Sequence, residues 1–286
     1  MITVCTVTGL SACQSALPTT LFPPTSPATP LEPTPTQVPM AILVNGSSIT
    51  QVEFEAELTR FQSAQTALGN VTSPEETTKR VQDDLIDQVL LQQGSEAGGF
   101  AVDDATLQAH IDNLVTKIGG MQALNTWEGQ NGYTEETLRI ALRRQIAAAW
   151  MRDQIISVVP YTAEQVHVQQ ILFYTSEKAQ AVWNELNSGG DFATLAAEYD
   201  PVTKGELGWF PRNYLPDVQV DEAAFALQPG QYSNVIQTLA GYSILMVAAR
   251  EPDHILSPDA LLTLQTLAVE NWLKDKRKNS TIILAP

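Results

Sequence analysis

Between residues 40 and 160 the apolar side chains recur every three or four positions, the spacing of helices with one buried face. The apolar run from Met40 to Val44, ended by Asn45-Gly46, reads as a short strand entering a turn. Thr50 and Glu53 form a capping box ahead of Phe54, Leu58 and Phe61. Ser73-Pro74 with Glu76 starts a second helix, in which Val81, Leu85, Ile86, Val89 and Leu90 share a face until Gly94. Asp103 caps a third, carrying Leu107, Ile111, Leu114, Val115 and Ile118 up to Gly119-Gly120, and Thr134 caps a fourth with Leu138, Leu142 and Trp150. The stretch from Gly120 to Thr134 offers no start signal and receives no element. The expectation is an all-helical region with one entering strand.

From Glu164 the period shortens. Val166 to Phe173 and Gly241 to Val247 read as strands; Ser176 to Leu186 and Phe192 to Tyr199 read as helices between them. Residues 161–254 are thus an α+β unit. Ser257-Pro258 starts a last helix with an apolar stripe of Leu261, Leu264, Leu267, Ala268 and Trp272. A basic cluster follows at Lys274, Lys276, Arg277 and Lys278, suited to a helix C-terminus or, less simply, to a membrane surface.

Composition changes the picture at the N-terminal end. Residues 14–39 hold eight of the chain's 17 prolines, interleaved with Thr and Ser, and predict an extended spacer rather than a core. The only cysteines are Cys5 and Cys13, so disulfides, thiol nucleophiles and thiolate metal sites are excluded from everything downstream. No metal or cofactor is expected. The formal charge of −16 excludes a nucleic-acid binder of the usual basic kind, since an anionic surface repels phosphate. Residues 2–10 are largely apolar and run into Leu10-Ser11-Ala12-Cys13. This resembles a bacterial lipobox, which implies cleavage before Cys13 and a lipid anchor on it, with residues 1–13 as the remnant of a signal peptide. The first basic residue is Arg60, so the expectation includes a charged leader upstream of Met1; the alternative is a chance Leu-Ser-Ala-Cys.

Two sets of phrases resemble known families. Val44-Asn45-Gly46, Ile49-Thr50 with Glu53-Phe54, Leu85-Ile86-Asp87-Gln88 and Gly132-Tyr133-Thr134-Glu135-Glu136 occur in the order of the N-terminal chaperone region of the SurA and PrsA type of bacterial foldase. That resemblance implies a helical domain at residues 40–160, with residues 255–286 packing back on it. Asp191-Phe192 with Leu195-Ala196, Gly205 to Phe210, Glu222 to Gly230, and Thr238 with Gly241-Tyr242 resemble the parvulin peptidylprolyl isomerases over residues 161–254.

The parvulin resemblance implies rotation about X-Pro bonds, a reaction that is slow uncatalysed because its barrier is ~20 kcal/mol. It also implies a proline-ring pocket of Leu207, Leu215 and Val220, with Phe210 and Phe225 behind it. The polar half of the site falls on Gln170, Asp200, Thr238 and Ser243. Here the chain departs from the family, which carries histidines where this sequence has Gln170 and Ser243. His167 does not substitute, because three residues along a strand reverse the face. Two readings of different class follow: an extracytoplasmic prolyl isomerase and foldase for exported polypeptides, anchored to the cell membrane through Cys13, or a catalytically silent parvulin-fold holdase chaperone. A lipoprotein scaffold for one partner is a third.

Overall fold

The structure is a computed structural model that describes residues 39–285; the spacer and both cysteines lie outside the described residues. The first lobe opens with β1 (Met40–Val44) and β2 (Ser47–Thr50), an antiparallel pair joined by a two-residue turn. Asn45 and Gly46 both adopt positive φ, 50° and 90°, as such a tight hairpin requires. Five helices follow: α1 (Gln51–Ala67), α2 (Pro74–Ala97), α3 (Asp104–Ile118), α4 (Met121–Gln130) and α5 (Glu135–Ser157). The hydroxyls of Thr50, Ser73 and Thr134 and the carboxylate of Asp103 each accept a first-turn amide, so four of the five starts rest on a side-chain cap. α4 begins at Gly120 without one, which is why the periodicity left it out.

The second lobe is a four-stranded antiparallel sheet of β3 (Thr162–Phe173), β4 (Glu206–Pro211), β5 (Ile236–Thr238) and β6 (Gly241–Ile255), in the order β4-β3-β6-β5. Helices α6 (Ser176–Asn187) and α7 (Phe192–Tyr199) cover one face, burying Ile171, Phe173 and Ile244 against Val182, Leu186 and Leu195. Helix α8 (Val218–Ala226) covers the other, with Val166, Val168, Leu245 and Val247 packed on Phe210, Ala224 and Phe225. β3 and β6 are longer than their apolar alternation predicts. Their extra residues pair with each other, Thr162 opposite Ile255 and Ala163 opposite His254, and form the two-stranded connection between the lobes.

The chain then returns to the first lobe through α9 (Pro258–Lys278) and β7 (Ile282–Leu284), and β7 pairs with β1 to give a sheet ordered β2-β1-β7. The region expected to hold one strand therefore holds three, two of them only three or four residues long. Trp272, Leu273 and Ile282 pack on the core of Ile42, Val44, Val89 and Leu90. A Cβ on Gly94 would lie 2.7 Å from the Trp272 ring, so that glycine sets how closely α2 and α9 approach. Arg277 fixes the far end of α9, donating to Asp87 at 2.7 Å and Asp83 at 2.9 Å. Among the described residues no helix is long and apolar enough to cross a membrane.

Candidate functional site

Along β3 the row Val166, Val168, Gln170 and Leu172 passes from fully buried to exposed as the cover of α8 runs out. Gln170 stands at that margin, half-buried. On β6, Ser243 faces Leu172 in the register and is completely buried. The Gln170 Nε2 donates to Ser243 Oγ at 2.6 Å, so the two residues that depart from the family pattern hold each other. Both groups are neutral and both donate and accept, which leaves the carboxamide oxygen of Gln170 and the hydroxyl proton of Ser243 for further bonds.

The loop from α7 to β4 closes on the same point. The Gln170 amide donates to the Gly205 carbonyl at 2.7 Å. Gly205 has φ +73°, and a Cβ there would sit 2.2 Å from the Gln170 carbonyl oxygen, so only glycine fits. Asp200 shapes this loop: its carboxylate accepts from the amides of Val202 and Thr203 and from the Thr203 hydroxyl. These bonds, the Thr203 hydroxyl first, hold the Asp200 carboxyl below the usual carboxylate range. None of its hydrogen bonds among the described residues reaches Gln170 or Ser243. Thr238 ends β5 and donates to the Gly241 carbonyl at 3.2 Å. It borders a cavity of about 430 Å³ between the start of α8 and the β5–β6 hairpin, lined also by Pro216, Asp217 and Leu239.

Of the apolar candidates, Phe210 of β4 and Val220 and Phe225 of α8 lie in the core between α8 and the sheet, with Leu215 half-buried against them. The Phe210 and Phe225 rings meet edge-on with centroids 6.2 Å apart, and the Arg212 guanidinium lies 4.3 Å over the Phe225 ring. Phe210 has no exposed surface, so it supports the pocket wall rather than meeting a ligand. Leu207 stays outside this cluster and is exposed, as are Leu172, Val202 and Leu239. Gln170 and Ser243 are brought together; Asp200 reaches them only through the Gly205 loop, and Cys13 lies outside the described residues.

One constellation escaped the sequence. Trp209 is stacked between His167, 5.3 Å away, and His254, 4.3 Å away. His167 Nε2 meets Glu206 at 2.6 Å and His254 Nδ1 meets Glu251 at 2.7 Å. His167 is thus engaged with β4 and not with Ser243. The stack ties β4 to the connection between the lobes, and its only sequence signal, a histidine in the polar tail of β6, carries meaning only once β6 is known to extend so far.

Residues 173–249 match the family description of a PPIC-type PPIase domain, the rotamase family, and residues 35–132 match a SurA-like N-terminal domain. The chain joins a parvulin rotamase domain to a SurA-like N-terminal domain. Within the PPIC-type domain the match takes in Asp200, Thr238 and Ser243 and begins three residues after Gln170. The chain is 28% identical over 248 residues to a chaperone SurA of Methylobacillus flagellatus, covering 73% of this chain and 56% of that protein. It is 27% identical over 197 residues to a foldase protein PrsA of a Geobacillus species, covering 64% and 70%. It spans little more than half the length of the SurA relatives it matches. Among solved structures, a peptidylprolyl isomerase PrsA from Bacillus cereus aligns over 82% of this chain and 85% of its own, with 20% identity and a TM-score of 0.46.

Proposed function

We propose that the chain is an extracytoplasmic foldase that accelerates cis-trans isomerisation of X-Pro bonds in exported polypeptides. The observation that carries this reading is the Gln170–Ser243 hydrogen bond, which keeps a polar pair at the family's histidine positions, with Ser243 inside the PPIC-type match and Gln170 three residues before it. Isomerisation needs no covalent step. As the amide twists, its nitrogen loses conjugation and becomes a better hydrogen-bond acceptor. A site that grips the proline ring, excludes water and favours the twisted form lowers the barrier by differential binding. Leu215 supplies apolar grip with the buried Val220 behind it, Leu207 and Leu239 are exposed apolar side chains, and Gln170 gives a fixed carboxamide oriented by Ser243. Asp200 acts on the site through the shape of the Gly205 loop.

The second reading is a holdase that binds unfolded chains without isomerising them. The exposed Leu172, Val202 and Leu239 around the site favour it, because an apolar rim retains any extended apolar segment. Attachment to the membrane through a lipid on Cys13 belongs to either reading. Residues 40–160 with 255–286 act as the chaperone domain in both, and 161–254 as the isomerase domain.

Proline-limited refolding of a model substrate, run beside aggregation suppression on the same preparation, separates them. The expected outcome is acceleration that falls at least tenfold in Leu215→Ala. Suppression of aggregation with no acceleration sinks the isomerase and leaves the holdase.

A further inference from the structure

Helices α3, α4 and α5 border a cavity of about 430 Å³ that no residue of the isomerase domain lines. Its apolar wall is Ile111 of α3, Leu124 of α4 and Leu138 of α5, all buried. Glu128 interrupts that wall. It shares a face of α4 with the other lining residues Met121, Leu124 and Asn125, so its side chain is directed into the cavity, and only 9% of its surface is accessible. Among the described residues no donor or cation meets its carboxylate. Arg139, on the α5 wall of the same cavity, donates to Gln108 Oε1 at 3.2 Å instead. A carboxylate withdrawn from water without a donor is costly, and it marks a place where a counter-group is missing.

The surroundings define that counter-group. Glu128 lies in the last turn of α4, where the helix carbonyls add negative potential. Glu135, the other acid at the cavity, is exposed and lies in the first turn of α5, where the helix amides offset its charge. The uncompensated charge is therefore the one on Glu128, and it calls for a cation. A metal ion is poorly served. Calcium and magnesium ions take about six or more oxygens, whereas among the described residues no three His, Cys, Asp or Glu side chains gather in one place. One carboxylate set against three aliphatic side chains suits an organic cation with an apolar body, and the Asn125 carboxamide on the same face of α4 offers a second acceptor. The Arg139 guanidinium repels a second positive charge, so a ligand with one ammonium fits better than one with two.

We propose that the cavity between α3, α4 and α5 binds a small primary amine that carries one positive charge and an apolar body. Its ammonium donates to Glu128, and its hydrocarbon part rests on Ile111, Leu124 and Leu138. The site is separate from the isomerase site, and its ligand does not depend on the foldase reading.

The test is calorimetric titration of the full chain with phenethylamine at constant ionic strength. Phenethyl alcohol, the same body without the charge, and hexamethylenediamine, which carries two charges, are each expected to bind roughly tenfold more weakly or worse. Glu128→Gln keeps the shape of the side chain and removes its charge. It is expected to lower amine affinity to that of the alcohol, with an unchanged circular dichroism spectrum. Arg139→Gln is expected to narrow the gap between the diamine and the monoamine. Equal affinity of the wild-type chain for the amine and the alcohol overturns the proposal, because the cavity is then an apolar hole in which Glu128 has no part; this comparison needs no variant to fold. Full amine affinity in a folded Glu128→Gln also overturns it, since the amine then sits elsewhere on the acidic surface. Displacement of the amine by millimolar calcium makes the carboxylate a metal ligand and overturns it too, as does the absence of binding at millimolar amine.

Discussion

Gln170 and Ser243 hold each other through groups that neither gain nor lose a proton between about pH 5 and 8, where a histidine would change charge. The isomerase rate at this site is therefore expected to be flat across that interval in a proline-limited refolding assay. Gln170→His with Ser243→His is expected to introduce a pH dependence, and a wild-type rate that already follows a single ionisation there contradicts the assignment. Ser243→Ala is expected to lower kcat/KM by about three- to tenfold, the worth of one lost orienting hydrogen bond. Asp200, unlike that pair, does titrate. Its folded-state pKa is depressed, so it adds stability above the ordinary carboxylate range and loses it as the pH falls through the depressed value. Thr203→Val removes the largest cause. The Asp200 carboxyl is then expected to titrate higher when followed by NMR, and acid unfolding to begin at higher pH.

At the scale of elements, cap chemistry decided what the sequence disclosed. Thr50, Ser73, Asp103 and Thr134 each announce a helix that the structure contains, whereas α4 starts at Gly120 with no side-chain signal. β2, β7 and the polar end of β6 were illegible for another reason. They are short or lack alternation, and they exist because a partner strand supplies their hydrogen bonds. The site inherited this limit: Gln170 and Ser243 sit in well-patterned strand segments and could be named, but the stack of His167, Trp209 and His254 depends on pairing that no local pattern encodes. The loop between α7 and β4 gives the sharpest test of element geometry. Gly205→Ala sets a Cβ 2.2 Å from the Gln170 carbonyl at a positive φ. It is expected to lower stability by about 1–3 kcal/mol in urea unfolding. It is also expected to reduce isomerase activity more than that loss explains, because the loop must move away from Gln170.

Over the whole molecule, residues 40–160 carry 16 acids against 8 bases and residues 161–254 carry 12 against 4, so each region holds −8 and neither is a basic partner for the other. What joins the lobes is chain path. β3 leaves the helical lobe and β6 returns to it, and the first lobe is complete only after α9 and β7 arrive from the far end of the sequence. Trp272 and Leu273, both partly buried, pack against the first-lobe core, where each contributes part of the roughly 1.5–3 kcal/mol that a fully buried large apolar side chain gives. Losing both, the Arg277 bonds to Asp83 and Asp87 and the β7 ladder on β1 together approaches the ~5–15 kcal/mol that a whole domain has. Ending the chain after Leu256 is therefore expected to abolish the cooperative unfolding of residues 40–160. The sheet of β3 to β6 has its own two cores, so residues 161–254 are expected to keep a sharp transition and their isomerase rate. Urea unfolding followed by circular dichroism, with Trp183 and Trp209 fluorescence reporting the isomerase domain once Trp127 and Trp150 are replaced by phenylalanine, checks both. A truncated chain that still unfolds cooperatively in both regions makes residues 40–160 self-sufficient and α9 an accessory.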